Sequence, residues 1–63
     1  MKKILNVIDL NTQEDVEQIN RELKDTRLDF EISLEHKAVI ISGGADEHRV
    51  AMIALRKAGF EIL

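Results

Sequence analysis

The sequence predicts an α/β sandwich of the α+β kind: a four-stranded antiparallel sheet with two helices on one face. Three observations carry this. Apolar residues alternate with polar ones at Phe30, Ile32 and Leu34, the period of a half-buried strand. They recur at helical spacing at Val16, Ile19 and Leu23, and again at Val50, Ala51, Ala54, Leu55 and Ala58. Gly43-Gly44 and Gly59 then punctuate a chain that has no proline.

The elements follow in order. Lys3 to Leu10 is rich in β-formers, with Ile4, Leu5, Val7 and Ile8. Asn11 and Thr12 are both good helix N-caps, and Glu14 and Asp15 lie three residues after them, in the spacing of a capping box. The first helix puts Val16, Ile19 and Leu23 inward, with Glu17, Gln18, Arg21, Glu22 and Lys24 on its far side. Phe30 to Leu34 is a strand, Glu35-His36-Lys37 a polar hairpin tip, and Ala38 to Ser42 a strand apolar on both faces. Asp46 is a candidate cap for a second helix ending near Ala58. Gly59 suits the left-handed residue that closes a helix, with Phe60 packing back. Phe60 to Leu63 fits a last short strand. The order is βαββαβ, the ferredoxin-like plan. Right-handed crossovers place the first and third strands in the middle, giving the spatial order 4-1-3-2.

Sixty-three residues make one domain, 1–63, and a small one whose burial is modest. There is no cysteine, so neither a disulfide nor a thiolate metal cluster is available. The net charge of −3 argues against nucleic acid, whose phosphates ask for an excess of Lys and Arg. Two Phe, with no Trp or Tyr, offer few stacking platforms for bases. The apolar run after Met1-Lys2-Lys3 is broken at Asn6 and Asp9, too soon for a signal-peptide core or a membrane span. The expectation is a cytoplasmic protein with no membrane insertion.

Chemistry-bearing constellations are scarce. The loop Asp9 to Asp15 holds Asp9, Glu14 and Asp15, and Asp9 and Asp15 are possible weak ligands for a hard cation. The loop does not fit an EF-hand: its sixth position is Glu14 and its twelfth Asn20. Helix capping explains the same residues more simply. His36 and His48 fall at opposite ends of the predicted fold, and two histidines rarely suffice for a metal. Ser33 and Ser42 lie on strands, away from any strained nucleophile turn, and Gly43-Gly44 lacks the Lys-Ser/Thr of a phosphate loop. No nucleophile or base is paired with an orienting group, so no enzyme and no cofactor are expected.

The surplus of hydrophobic residues points elsewhere. If Leu5, Val7, Phe30, Ile32, Leu34, Val39, Ile41, Phe60 and Ile62 face the helices, then Ile4, Asn6, Ile8, Ala38, Ile40 and Leu63 face out. Ile4, Ile8, Ala38 and Ile40 fall on the two central strands, rimmed by Glu31, Glu35 and Glu61. An apolar patch with a polar rim is the mark of a partner-binding face or a dimer interface. The competing explanation is that β-branched residues are good strand formers on any open sheet.

Three stretches resemble the heavy-metal-associated domain of copper chaperones and of the N-termini of metal-pumping P-type ATPases. They are Leu5-x-Val7, the hairpin Ile32-Ser33-Leu34-Glu35-His36-Lys37-Ala38-Val39, and Leu55-Arg56-Lys57-Ala58-Gly59-Phe60-Glu61-Ile62. The last is similar to the family's Ala-Gly-Tyr ending, with Phe for Tyr. The resemblance covers essentially the whole chain and implies the ferredoxin-like fold. The family's functional signal, Met-x-Cys-x-x-Cys, is missing. Placed without gaps, Leu10 stands for the Met, and Thr12 and Asp15 for the two Cys; a slip in the first helix moves those two positions to Asp9 and Thr12. The segment before Phe30 is two or three residues shorter than the family's and lacks its Gly-Val turn. In neither register is there a thiol, and soft metals such as Cu(I) select sulfur.

The sequence therefore supports a small, non-enzymatic binding module with a degenerate metal loop. It is expected to act through self-association or a protein partner on the face built by Ile4, Ile8, Ala38 and Ile40. The alternative, implied by the resemblance, is an accessory part of metal-ion transport that binds a harder cation weakly or docks on a metal-transporting ATPase.

Overall fold

A computed structural model describes all 63 residues. Strand β1 spans Lys2–Asn6, helix α1 Gln13–Lys24, β2 Phe30–Ser33, β3 Ala38–Ser42 and α2 Ala45–Lys57. The strands form one antiparallel sheet in the order β1-β3-β2. Both helices lie against one face of it. Leu5, Val39 and Ile41 from the sheet meet Ile19 and Leu23 of α1 and Ala51 and Leu55 of α2 in a single core, completed by Val7, Leu10 and Phe60. Val16, Phe30, Ile32 and Ile62 pack around it, partly buried.

The expected fourth strand is absent as a strand. Phe60 to Leu63 contributes one antiparallel bridge, Val7 with Ile62. Two hydrogen bonds flank it: Ile8 N–H to the Glu61 carbonyl at 3.0 Å, and Leu63 N–H to the Asn6 carbonyl at 2.9 Å. The reason lies in the end of α2. Phe60 N–H donates to the Leu55 carbonyl and Gly59 N–H to that of Arg56, both at 3.0 Å, which is the Schellman closure. Gly59 takes φ +94° there, as its position predicts. Phe60 is used up in closing the helix, so its N–H is withheld from any ladder with β1. The bridge nevertheless lies on the outer side of β1, where a 4-1-3-2 order puts it.

Other boundaries differ by a few residues. β1 stops at Asn6, because Leu10 N–H turns back to the Val7 carbonyl and takes the chain off the sheet. Leu34 leaves the strand for the hairpin turn, which Lys37 closes with φ +51° and an N–H to the Leu34 carbonyl. Thr12 is the cap of α1. The cap of α2 is Gly44, and Asp46 sits in the first turn instead. Gly44 has no side chain to offer, so only the reverse half of a box forms: Gly44 N–H donates to Glu47 Oε1 at 2.7 Å. Val50, placed by the wheel on the core face of α2, is 43% exposed. It lines a groove with Ile53, Glu22 and Asp25, where α1 has come to its end and no longer covers α2.

Candidate functional site

The loop between β1 and α1 is organised by capping. Thr12 Oγ1 accepts the Asp15 N–H at 3.2 Å. Asp15 Oδ2 accepts the N–H groups of Asn11 and Thr12 at 3.0 and 3.1 Å. Donors aimed at a carboxylate favour its ionised form. The Asn11 N–H, ahead of that of Thr12, holds the Asp15 carboxyl below the ordinary aspartate range. Asp9 is engaged elsewhere: its Oδ1 accepts the Glu61 N–H at 3.0 Å, tying the loop to the C-terminal segment. Leu10 is fully buried in the core, a role that the sequence reading did not assign to it.

This geometry bears on the metal that the resemblance implies. No three His, Asp or Glu side chains are gathered as a ligand group. Of the positions that stand for the family's motif, Leu10 is apolar and buried, the Thr12 hydroxyl caps a helix, and Asp15 Oδ2 takes two backbone N–H groups. That donor set does not fit a soft metal ion. Asp9 and Asp15 each face a backbone N–H and not each other's ligand field.

The face of the sheet away from the helices carries the apolar surface. Ile4 and Ile40 are direct cross-strand partners, and Glu31 is the partner of Ile40 on the other side. Ile4 is 63% exposed and Ile8 45%; Ile40, on the central strand, is half-buried. Leu63, beside Asn6, is 86% exposed and extends the surface toward the C-terminal segment. Ala38 sits in the same face between Asn6 and Ser33. It is only 5% exposed, because its methyl group is shorter than its neighbours' side chains, and it adds shape more than area.

One polar contact escaped the sequence reading. Ser33 Oγ and His36 Nδ1 lie 2.9 Å apart, and the His36 N–H also donates to Ser33 Oγ at 3.3 Å. The spacing i to i+3 across a hairpin tip is the signal that would have found it. The pair closes an exposed turn, with no carboxylate hydrogen-bonded to the imidazole. His48 is far along the chain in the first turn of α2, near Lys3, Arg49 and Met52.

No helix is long and apolar enough to cross a membrane. No family model matches the sequence, and no curated protein matches it. A solved structure, the NMR structure of a heavy metal binding protein from Thermotoga maritima, superimposes with a TM-score of 0.86 over 98% of this chain and 91% of that one, at 19% sequence identity. The likeness establishes a shared fold.

Proposed function

We propose that this chain is a non-enzymatic interaction module that works through the open face of its sheet. The observation that carries the reading is the Ile4–Ile40 pair, which the helices leave uncovered and which Ile8 and Leu63 extend. Covering such a surface removes apolar area from water, at about 25 cal/mol per Å². The partner is a second copy of the chain or another protein with an apolar patch. Glu31, Glu35 and Glu61 at the rim select against anionic partners.

Ile40→Glu tests this, since a charge on the open face leaves the core untouched. Concentration-dependent amide shifts should map to Ile4, Ile8, Ala38 and Ile40 in the wild type and vanish in the variant, with its helical circular dichroism unchanged. A photo-crosslinker at position 40 covers the hetero-partner case. A strictly monomeric wild type with no crosslinked species sinks the reading.

The likeness to a heavy metal binding protein supports a second reading, an accessory role in metal transport. In this version the chain docks on a metal-transporting ATPase, or holds a hard cation weakly at Asp9 and Asp15. Amide titrations with Ca²⁺, Zn²⁺, Ni²⁺ and Cu(I) separate the two. Saturable shifts confined to residues 9–15 favour the metal role. Silence there, together with no binding to an ATPase domain, removes it.

A further inference from the structure

Strand β2 flanks the sheet on the side away from the C-terminal segment, which lies against β1. Its outer edge is unpaired. In an antiparallel pair, residues that turn both backbone groups toward the neighbour alternate with residues that turn both away. Ser42 N–H donates to the Asp29 carbonyl at 2.9 Å. With the register Glu31↔Ile40 and Ser33↔Ala38, the odd residues of β2 therefore face β3. Phe30 and Ile32 face outward. No turn or loop of the chain donates to their carbonyls or accepts their N–H groups. Such an edge accepts an added strand.

The side chains along this edge specify what kind of strand. Phe30 and Ile32 point to the helix side, where they pack partly buried against the core. Asp29 and Glu31 are exposed on the open side, where both line a shallow hollow with Ile40 and Ser42. Lys2, the one cation of that hollow, stands on β1, with β3 between it and the edge. Side chains of an added strand alternate between the two faces in step with those of β2. Directly opposite residues bring their Cβ atoms to about 5 Å, so opposite charges attract there and like charges repel.

We infer that the β2 edge takes up an extended peptide in which lysine or arginine alternates with apolar residues. The backbone groups of Phe30 and Ile32 hold it. Its apolar side chains extend the surface of those two residues, and its cations lie across from Asp29 and Glu31. The parity of the edge shuts out a second copy. Antiparallel pairing of two β2 edges must match Phe30 or Ile32 of one with Phe30 or Ile32 of the other. Glu31 then falls opposite Glu31, Asp29 or Ser33 of the other copy, and the Ser33 register sets Asp29 opposite Glu35. Each of these sets acid against acid. The site goes beyond the open-face reading: its hydrogen bonds come from the edge of the sheet, and it needs no self-association.

The test uses the 63-residue chain and a capped seven-residue peptide alternating valine and lysine, with valine at both ends. Two controls accompany it, one with glutamate for lysine and one N-methylated at its two inner valines. The parent peptide should shift the Phe30 and Ile32 amides and slow their hydrogen exchange by about tenfold at saturation. Each control should weaken binding by about tenfold or more. The double variant Asp29→Lys with Glu31→Lys should exchange the preference and favour the glutamate peptide. Both positions are exposed, and circular dichroism checks that the variant is folded. Equal binding of the N-methylated peptide would show that no ladder forms. Equal binding of the lysine and glutamate peptides, or an unchanged preference in the double variant, would remove the charge selection and with it the proposal. Phe30 and Ile32 amides unprotected at millimolar peptide, or protected by concentrating the protein alone, likewise overturn it.

Discussion

Asp15 Oδ2 receives two backbone N–H groups, from Asn11 and Thr12, while the residue's own N–H goes to Thr12 Oγ1. These donors favour the ionised carboxylate. Its pKa in the folded chain is depressed, chiefly by the Asn11 N–H. A depressed carboxyl contributes stability above its unfolded pKa and loses it as the pH falls through the folded one. Asp15→Asn should therefore be less stable than the wild type at neutral pH, and the gap should close as the pH falls below the aspartate range. Urea unfolding at pH 7 and at about pH 2 reads this; a gap of constant size excludes the linkage. Thr12→Ala removes the other half of the box and should cost about 1 kcal/mol at pH 7. Asn11-Glu14 and Thr12-Asp15 are equally good boxes in the sequence. Only the first helical hydrogen bond, Val16 N–H to the Thr12 carbonyl, decides between them. Leu10 shows the opposite case: its burial depends on the turn from Val7, a tertiary feature with no local signature.

Among the elements, the turns depend most on single residues. Gly43 joins β3 to α2 with φ +137°, and an added Cβ would lie 2.5 Å from Glu47 Cγ. Gly43→Ala meets both the backbone strain and the side chain that holds the Gly44 N–H. It should lose about 1–3 kcal/mol, read as a fall in the denaturation midpoint, and the Gly44 amide should exchange faster. Gly59, with φ +94°, has nothing within 4 Å of such a Cβ. Gly59→Ala should pay only the backbone strain, about 1–2 kcal/mol. If the two variants are equally damaging and Gly44 stays protected, the steric part of the argument is wrong. Both glycines were legible as punctuation. The turn after α1 was not, because its left-handed residue is Arg27, with φ +64°, in a place where glycine would have announced it. The last strand was over-read for a related reason. The β-rich run from Phe60 includes the residue that closes α2, and periodicity does not tell a helix stop from a strand start.

At the scale of the whole molecule, alternation along β1, β2 and β3 assigned most of the core correctly, since one sheet face must be buried. Leu5, Val7, Val39, Ile41 and Phe60 are buried as expected, while Leu34 is 36% exposed at the hairpin. The open face was legible in the same way; the cationic groove beside β1 was not, because it joins Lys3 to residues some forty-five positions away, around His48 and Arg49. The core is one small cluster of 10 buried residues with no disulfide behind it. For a chain of 63 residues the total stability is about 3–9 kcal/mol. Leu23 is fully buried between α1 and the rest of the core, and Leu23→Ala should cost about 2–5 kcal/mol through lost burial and the cavity left behind. That is a large part of the total, so a substantial fraction of the variant should be unfolded near 37 °C, with collapsed amide dispersion. Leu34→Ala removes the same atoms at the hairpin, where water already reaches them, and should change stability by no more than about 0.5 kcal/mol. Parallel urea titrations of the two variants decide the matter: comparable losses would mean that the hairpin leucine is part of the core after all.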